Sequence, residues 1–391
     1  MMLAAFHLAW RYVVRHRLQT LLLAGALAMV ITLPLSLRVL VQAIESNMRE
    51  RAVSTPQLVG ARGSALDLML TALYFKQQPL PPVAMKQLQE LREANLGTAI
   101  PLDVRFHAQE SPIVGTEIEY FELRHLRIAN GKMMTRLGDC VLGARTALRR
   151  SLKPGDAVFS SQEQVFDMAG IYPLKMRITG VLSPNGTPDD DAVFVDLKTA
   201  WLIQGLAHGH EDLAASRDTV LKAETGNLVA NASVRMFNEV TDKNLDGFHF
   251  HGDPSAYELS AILVVPKDPK SEALLAGRYL KNTSAAQLIR PREEYDALMS
   301  TLFQVQTLAF SVLILTLGAA AAISALVFAL SFRMRLREFT TLGDVGVSPL
   351  ALSLTKLFEI SLVGAGGLGL ALIITLFVQW NASSWVQMLL K

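Results

Sequence analysis

Residues 302–332 read LFQVQTLAFSVLILTLGAAAAISALVFALSF, and a basic turn follows at once, Arg333-Met334-Arg335-Leu336-Arg337-Glu338. A Gly-rich elbow comes next, Thr341-Leu342-Gly343-Asp344-Val345-Gly346-Val347-Ser348-Pro349, and a second apolar run closes the stretch at about Ile360–Trp380. About 20 apolar residues cross a ~30 Å hydrocarbon core. Each run meets that length, so this segment reads as two membrane spans joined by a short, basic, structured loop. The charge-free part of the first run, Met299–Phe332, is 34 residues long and exceeds the bilayer. Its polar start, from Ser300 to Gln306, reads as a stalk standing above the membrane. Arg333, Arg335 and Arg337 place the loop in the cytoplasm, because Lys and Arg accumulate on that side.

Composition agrees with a few spans and one large water-soluble part. The chain has 391 residues, 51% of them hydrophobic, with 18% charged and a net charge of +2. Mean hydropathy is +0.30. That charge balance gives no reason to expect nucleic acid as a partner. Cys140 is the one cysteine, so no disulfide framework exists within a chain and an outer domain must be stable from its core alone.

Working outward, residues 1–18 place Leu3, Phe6, Trp10 and Val14 at helical spacing with Arg11, Arg15 and Arg17 between them. This predicts a cytoplasmic amphipathic helix on the membrane surface, or simply the basic flank of the adjoining span. Residues 19–45 form that first span, bent at Pro34, and their apolar run is longer than a signal-peptide core. Residues 46–300 then form an extracytoplasmic domain of roughly 255 residues. Helical patterns at Leu66–Leu73, Val83–Leu96, Ala144–Leu152, Leu197–Gln204 and Ser271–Tyr279 alternate irregularly with strand patterns. The strand patterns are Thr98–Val104, Val114–Leu123, Asp156–Phe159, Lys175–Leu182, Ala192–Val195 and Glu258–Val265. The fold class expected is therefore a membrane protein with three transmembrane helices and a large α+β domain inserted between the first and second. The remaining divisions are 301–332 (stalk and second span), 333–350 (elbow), 351–380 (third span) and 381–391, a tail too short to cross again. Gly364, Gly366, Gly367 and Gly369 in the third span predict close packing against a neighbouring helix.

Chemistry-bearing motifs are few. No G-x-x-x-x-G-K-[ST], G-x-S-x-G, H-E-x-x-H or paired-Cys metal motif occurs, so an enzyme is a weak reading. The elbow has more apolar residues than a solvated turn needs. Leu342, Val345 and Val347 suit a docking surface for a cytoplasmic partner, or a loop packed on its own helices. Ser348 and Pro349 suit the N-cap and first turn of a new helix. Lys356 and Glu359, three residues apart, read as an interfacial ion pair. Asp189-Asp190-Asp191 reads as a solvated turn, because calcium needs more ordered ligand spacing. Two His pairs remain, His208 with His210 and His249 with His251. Imidazoles suit Zn²⁺ or Cu²⁺, but each pair alone chelates weakly, and a metal site requires that the two loops meet. Polar surface loops with incidental His are the competing reading.

At the elbow the sequence resembles the permease family of type VII ABC transporters, which includes the macrolide exporter MacB, the lipoprotein-release permeases LolC and LolE, and the divisome permease FtsX. The matching pattern is Arg337-Glu338-x-x-x-Leu342-x-x-x-Gly346-Val347-Ser348 followed by Glu359. The outer domain is similar to that family at Val141-Leu142-Gly143, Leu148, Leu152–Asp156, Ile178–Leu182 and Gly186–Val195. The resemblance implies a non-catalytic subunit that pairs with a second permease chain, as homo- or heterodimer, and docks a separate ATPase carrying ATP and Mg²⁺. It implies that Arg337, Glu338, Thr341, Leu342, Gly343, Gly346, Val347, Ser348 and Glu359 couple the ATPase to the outer domain without carrying substrate through the bilayer. A bacterial inner-membrane location, contact with lipid, and a periplasmic adaptor or substrate protein are further implications. The family has four spans where this sequence shows three. An alternative within the same resemblance is an FtsX-like membrane-anchored regulator of a periplasmic enzyme or adaptor, with no transported substrate.

Overall fold

Short polar residues set the local boundaries of the outer domain. Ser64 accepts the Asp67 amide at 3.1 Å and starts the helix Ala65–Tyr74. Asp196 caps Leu197–Ile203 and Asp268 caps Pro269–Tyr279 in the same way. Each supplies an acceptor to one of the amides that a helix start leaves unpaired. In the computed structural model, residues 2–161, 173–209, 220–224, 227–230, 237–280 and 285–389 are described.

The chain divides into two units, Arg49–Tyr295 and Met1–Met48 with Asp296–Lys391. The first is organised on a ten-stranded mixed sheet. Its order is Ala286–Ile289, Gln57–Ala61, Ala261–Pro266, Gly97–Ala108, Ser111–Thr116, Val193–Asp196, Asp139–Leu142, Lys175–Leu182 and Ile128–Gly131, with Ala157–Phe159 paired off this path to Lys175–Leu182. Two neighbouring pairs are parallel, Ser111–Thr116 with Val193–Asp196 and Asp139–Leu142 with Lys175–Leu182. Central strands are buried along their length, so they read as apolar runs rather than alternations. One core gathers Phe106, Ile113, Cys140, Met176, Ile178 and Val195, and a second gathers Val59, Leu88, Trp201, Leu259 and Ile262. Cys140 is a buried free thiol, and burial raises its pKa, so it behaves as a small core hydrophobe.

Three local expectations change. Val114–Leu123 is not one strand: Ser111–Thr116 is extended and Ile118–Leu123 is helical, burying Tyr120 and Phe121 together. Val83-Ala84 is a short strand, and the helix starts only at Met85. Asp189-Asp190-Asp191 is not a solvated turn. It lies in a 3-10 turn, Pro188–Asp191, whose Asp189 and Asp190 are buried. That turn also fixes Gly143: a Cβ there would stand 2.3 Å from the Asp189 carbonyl oxygen and 2.4 Å from that of Asp190. Backbone cannot swing aside as a side chain does. Gly143→Ala is therefore expected to destabilise the outer domain by about 1–3 kcal/mol, read as a lowered urea midpoint with an unchanged slope.

Three helical stretches, Arg17–Val53, Ile314–Met334 and Pro349–Ala382, are long and apolar enough to cross a membrane. The second of these lies within a continuous helix, Pro291–Met334, and the third within Pro349–Leu389, so residues 381–389 continue the last helix. The N-terminal helix Met2–Arg15 buries Ala5 and Ala9 and sets Phe6 edge-on to Phe358 at 5.6 Å. Of the four glycines in the last helix, Gly367 makes the close approach: a Cβ would come within 3.0 Å of the Ala24 carbonyl oxygen. Gly364 and Gly369 have nothing within 4 Å of that position.

Candidate functional site

The elbow contains a helix, Leu336–Asp344, where the sequence suggested only a turn. Its polarity is two-sided. Phe339 is buried and Leu342 half-buried on the inner side. Arg337, Glu338, Thr340, Thr341, Asp344 and Val345 are exposed, Val345 at 79%. A helix places residues three and four apart on one face, which puts Arg337, Thr341 and Asp344 in a single outward row.

The brace behind this helix is Arg335. Its Nη1 donates to both Glu359 carboxylate oxygens, at 3.2 and 3.0 Å, and its Nε donates to Glu338 at 3.1 Å. Its guanidinium carbon lies 3.4 Å from the Tyr12 ring centroid and 5.0 Å from that of Phe339. One side chain thus joins the N-terminal helix, the elbow and the last helix. Glu359 is only 3% exposed, so its charge depends on this partner. The Lys356–Glu359 pair suggested by spacing does not form. The Lys356 ammonium sits 4.6 Å from the Phe339 ring and 5.7 Å from that of Phe332. A planar guanidinium stacks and pairs at once, whereas the ammonium is a point charge held over aromatic faces.

The rest of the motif builds the turn itself. Gly346 has φ +99°, a conformation that a Cβ disfavours. The Val347 amide donates to the Leu342 carbonyl at 3.0 Å and the Gly346 amide to Gly343 at 2.9 Å. Those two bonds form a Schellman C-cap. Ser348 Oγ then accepts the Ala351 amide at 3.3 Å, and Pro349 opens the next helix. Leu342, Gly346, Val347 and Ser348 are therefore spaced as they are by the requirements of a helix stop followed by a helix start. Gly343 and the outward row are left available for contact.

A second arrangement lies in the outer domain, and of its members the sequence marks only Asp189, within the Asp189–Asp191 run. Arg51 donates to both Asp189 oxygens, at 2.7 and 3.0 Å, and to the Tyr120 hydroxyl at 3.0 Å. Tyr120 donates to Asp189 at 2.7 Å, and Arg51 Nε reaches the Leu73 carbonyl. All three side chains are buried. Burial acts to raise the Asp189 pKa, but Arg51 outweighs it and holds the carboxyl at about 2. Burial and the neighbouring Asp189 push the Tyr120 phenol well above its usual range. Arg51 belongs to the last turn of Arg17–Val53, so this clamp secures the end of that helix in the outer domain.

The two histidine loops meet. Ala207–Gly209 and Phe248–Phe250 pair antiparallel with His208 opposite His249, and His208, His249 and His251 gather on one side. His210 lies outside the described residues.

A family model described as the MacB-like periplasmic core domain matches residues 20–236, more than half of the chain. The chain belongs to the MacB-like family of ABC transporter permeases. No curated protein matches it in sequence. Solved structures similar to it include the following two. The extracellular domain of the noncanonic ABC-type transporter YknZ from Gram-positive bacteria shares 13% identity, with 60% of this chain and 99% of that one covered and a TM-score of 0.32. The periplasmic region of MacB from Actinobacillus actinomycetemcomitans shares 13% identity over 65% of this chain and 97% of that one, with a TM-score of 0.33. In this MacB-like permease, Arg51, Tyr120, Asp189 and His208 fall inside the matched stretch, and His249, His251 and the elbow fall beyond it.

Proposed function

We propose that this MacB-like permease couples ATP hydrolysis by a separate cytoplasmic ATPase subunit to movement of its periplasmic domain. It works as one of two permease chains in the bacterial inner membrane. The work done is export or extraction of a substrate, drawn from lipoproteins, lipids, small hydrophobic compounds or metal-related cargo. The observation that carries this reading is the elbow. A short helix presents an outward row of Arg337, Thr341 and Asp344, ends on an exposed Val345, and is braced from behind by Arg335. A solvated hairpin turn needs neither an apolar tip nor an ion pair behind it. In the proposed mechanism the ATPase binds this helix, and closure of two ATPases moves the two elbows together. Long helices carry the displacement outward, and Arg51 with Asp189 passes it from the end of Arg17–Val53 to the outer sheet. Substrate binding belongs to the outer domain.

The test is ATPase co-purification together with ATP-dependent activity in proteoliposomes. Val345→Asp and Thr341→Asp place a charge in the docking surface and are expected to weaken ATPase association by on the order of tenfold, as for a well-buried interface residue. The variant permeases should still reach the membrane at normal level. Unchanged association and activity in both would remove the elbow from the interface.

A further inference from the structure

We infer that His208, His249 and His251 form a binding site for a divalent transition-metal cation of the Zn²⁺ class on the outer domain. Strand register brings the three together. His208 and His249 are directly opposed in an antiparallel pair, so their side chains leave the ribbon on the same face. His251 is two residues beyond His249, and the period of two returns its side chain to that face. The ring centroids are 4.7 Å apart for His208 and His249, 4.6 Å for His208 and His251, and 4.6 Å for His249 and His251. One nitrogen from each ring lies within 4.8 Å of the others. Three nitrogens bound to one tetrahedral zinc at about 2.0–2.1 Å stand about 3.4 Å apart. Closing the site therefore takes small side-chain rotations and no backbone movement.

The backbone beneath the rings is held in place. The His251 amide donates to the Leu206 carbonyl at 2.9 Å, and the Tyr257 hydroxyl donates to the His251 carbonyl at 2.8 Å. Tyr257 is buried and packs edge-on against Trp201 at 4.9 Å. On the opposite face of the ribbon, Phe250 meets Trp201 at 6.5 Å and Phe248 packs against the core that contains Ile113 and Met176. The ribbon is thus pinned through its aromatic face and presents its imidazole face outward. His208 and His249 are half-buried and His251 is exposed, so an ion can enter from solvent. Neutral imidazoles, with no thiolate among the three, select Zn²⁺, Cu²⁺ or Ni²⁺ over Mg²⁺ and Ca²⁺, which need oxygen ligands. Among the described residues three ligands come together, which leaves one tetrahedral position for water or a further ligand.

The experiment is calorimetric titration of the full chain in detergent, without a polyhistidine tag, with ZnCl₂ and then with CuCl₂, NiCl₂ and MgCl₂. The expected result is micromolar or tighter binding of one Zn²⁺ per chain and no response to Mg²⁺. His208→Ala with His251→Ala should weaken Zn²⁺ binding by at least the about 10–100-fold that loss of even an outer-shell partner costs. His125→Asn, an exposed histidine elsewhere that keeps the left-handed backbone asparagine accepts, should leave it unchanged. Circular dichroism of the metal-free double variant should match the parent, and His208→Gln with His251→Gln serves if the alanine pair misfolds. X-ray absorption of the zinc-loaded parent should show at least three imidazole ligands. Absence of binding below millimolar Zn²⁺, or affinity that survives a folded double variant, overturns the site.

Discussion

Asp189→Ala is expected to destabilise the outer domain by about 3–5 kcal/mol, the penalty for stripping one partner from a buried ion pair. The residue left behind is Arg51, whose guanidinium is 6% exposed and donates twice to the missing carboxylate. Arginine cannot escape by losing its proton, so the uncompensated charge stays. Replacing both residues by apolar ones of similar volume, Arg51→Met with Asp189→Leu, should recover most of the loss, because the pair itself gains little over good packing. Tyr120→Phe, which removes one bond at each partner, should cost about 1–2 kcal/mol. Hydrogen exchange of the Val193–Asp196 amides in the full chain reads these changes within the outer sheet. An Asp189→Ala protein with native protection would show that the clamp contributes nothing. The pH dependence carries a sign. Asp189 is ionised in the folded state down to about pH 2, against 3.8 for an ordinary aspartate. Its contribution is fully present above about pH 4 and is lost as pH falls through about 2, because the unfolded chain takes up the proton first. Asp189→Asn should therefore flatten the acid limb of stability between about pH 4 and 2.

This clamp marks the limit of what the sequence disclosed. The three apolar helices, the basic elbow and most strands of the outer sheet were legible because each is written locally, in runs and periods of a few residues. The Schellman turn is half legible: Ser348-Pro349 suits a helix start, but nothing local marks the short helix before it or its stop at Gly346. Arg51 and Asp189 are 138 residues apart, and nothing near either one distinguishes it from a surface charge. Three adjacent aspartates look solvated until the topology buries two of them. The histidines lay between these cases. Each pair was visible as a motif, and their meeting depended on a two-stranded pairing of six residues that no local pattern specifies. The sequence marks Arg335 as topological charge only. Its partners, Tyr12 and Glu359, come from opposite ends of the chain.

Arg335→Ala is expected to cost about 3–5 kcal/mol in the membrane unit, because it leaves the buried Glu359 carboxylate without its cation, and on our reading of the elbow to sever ATPase coupling. The stability and coupling effects separate by design. Arg335→Met with Glu359→Leu removes both charges and should restore thermal stability in detergent. It does not restore the strut, since a methionine cannot pair with Glu338 and stack on Tyr12 at once. If the elbow helix transmits force, the double variant stays stable yet loses at least ~10-fold of ATP-dependent activity, the loss that about 1.4 kcal/mol of misplaced geometry produces. Arg335→Lys keeps the charge and should fall between the two, with near-normal stability and weakened coupling. Should the stable double variant work at full rate with its ATPase, Arg335 would be a packing residue and the elbow would need no rigid brace. The contrast is informative because Glu359 lies 24 residues from Arg335 on the far side of the turn. A force applied to the outward row of Leu336–Asp344 reaches the last helix along two routes. One is the backbone through the turn at Gly346, and the other is this ion pair. The backbone route passes through a left-handed glycine held by two hydrogen bonds, whereas the ion pair joins the start of the elbow helix directly to the last helix.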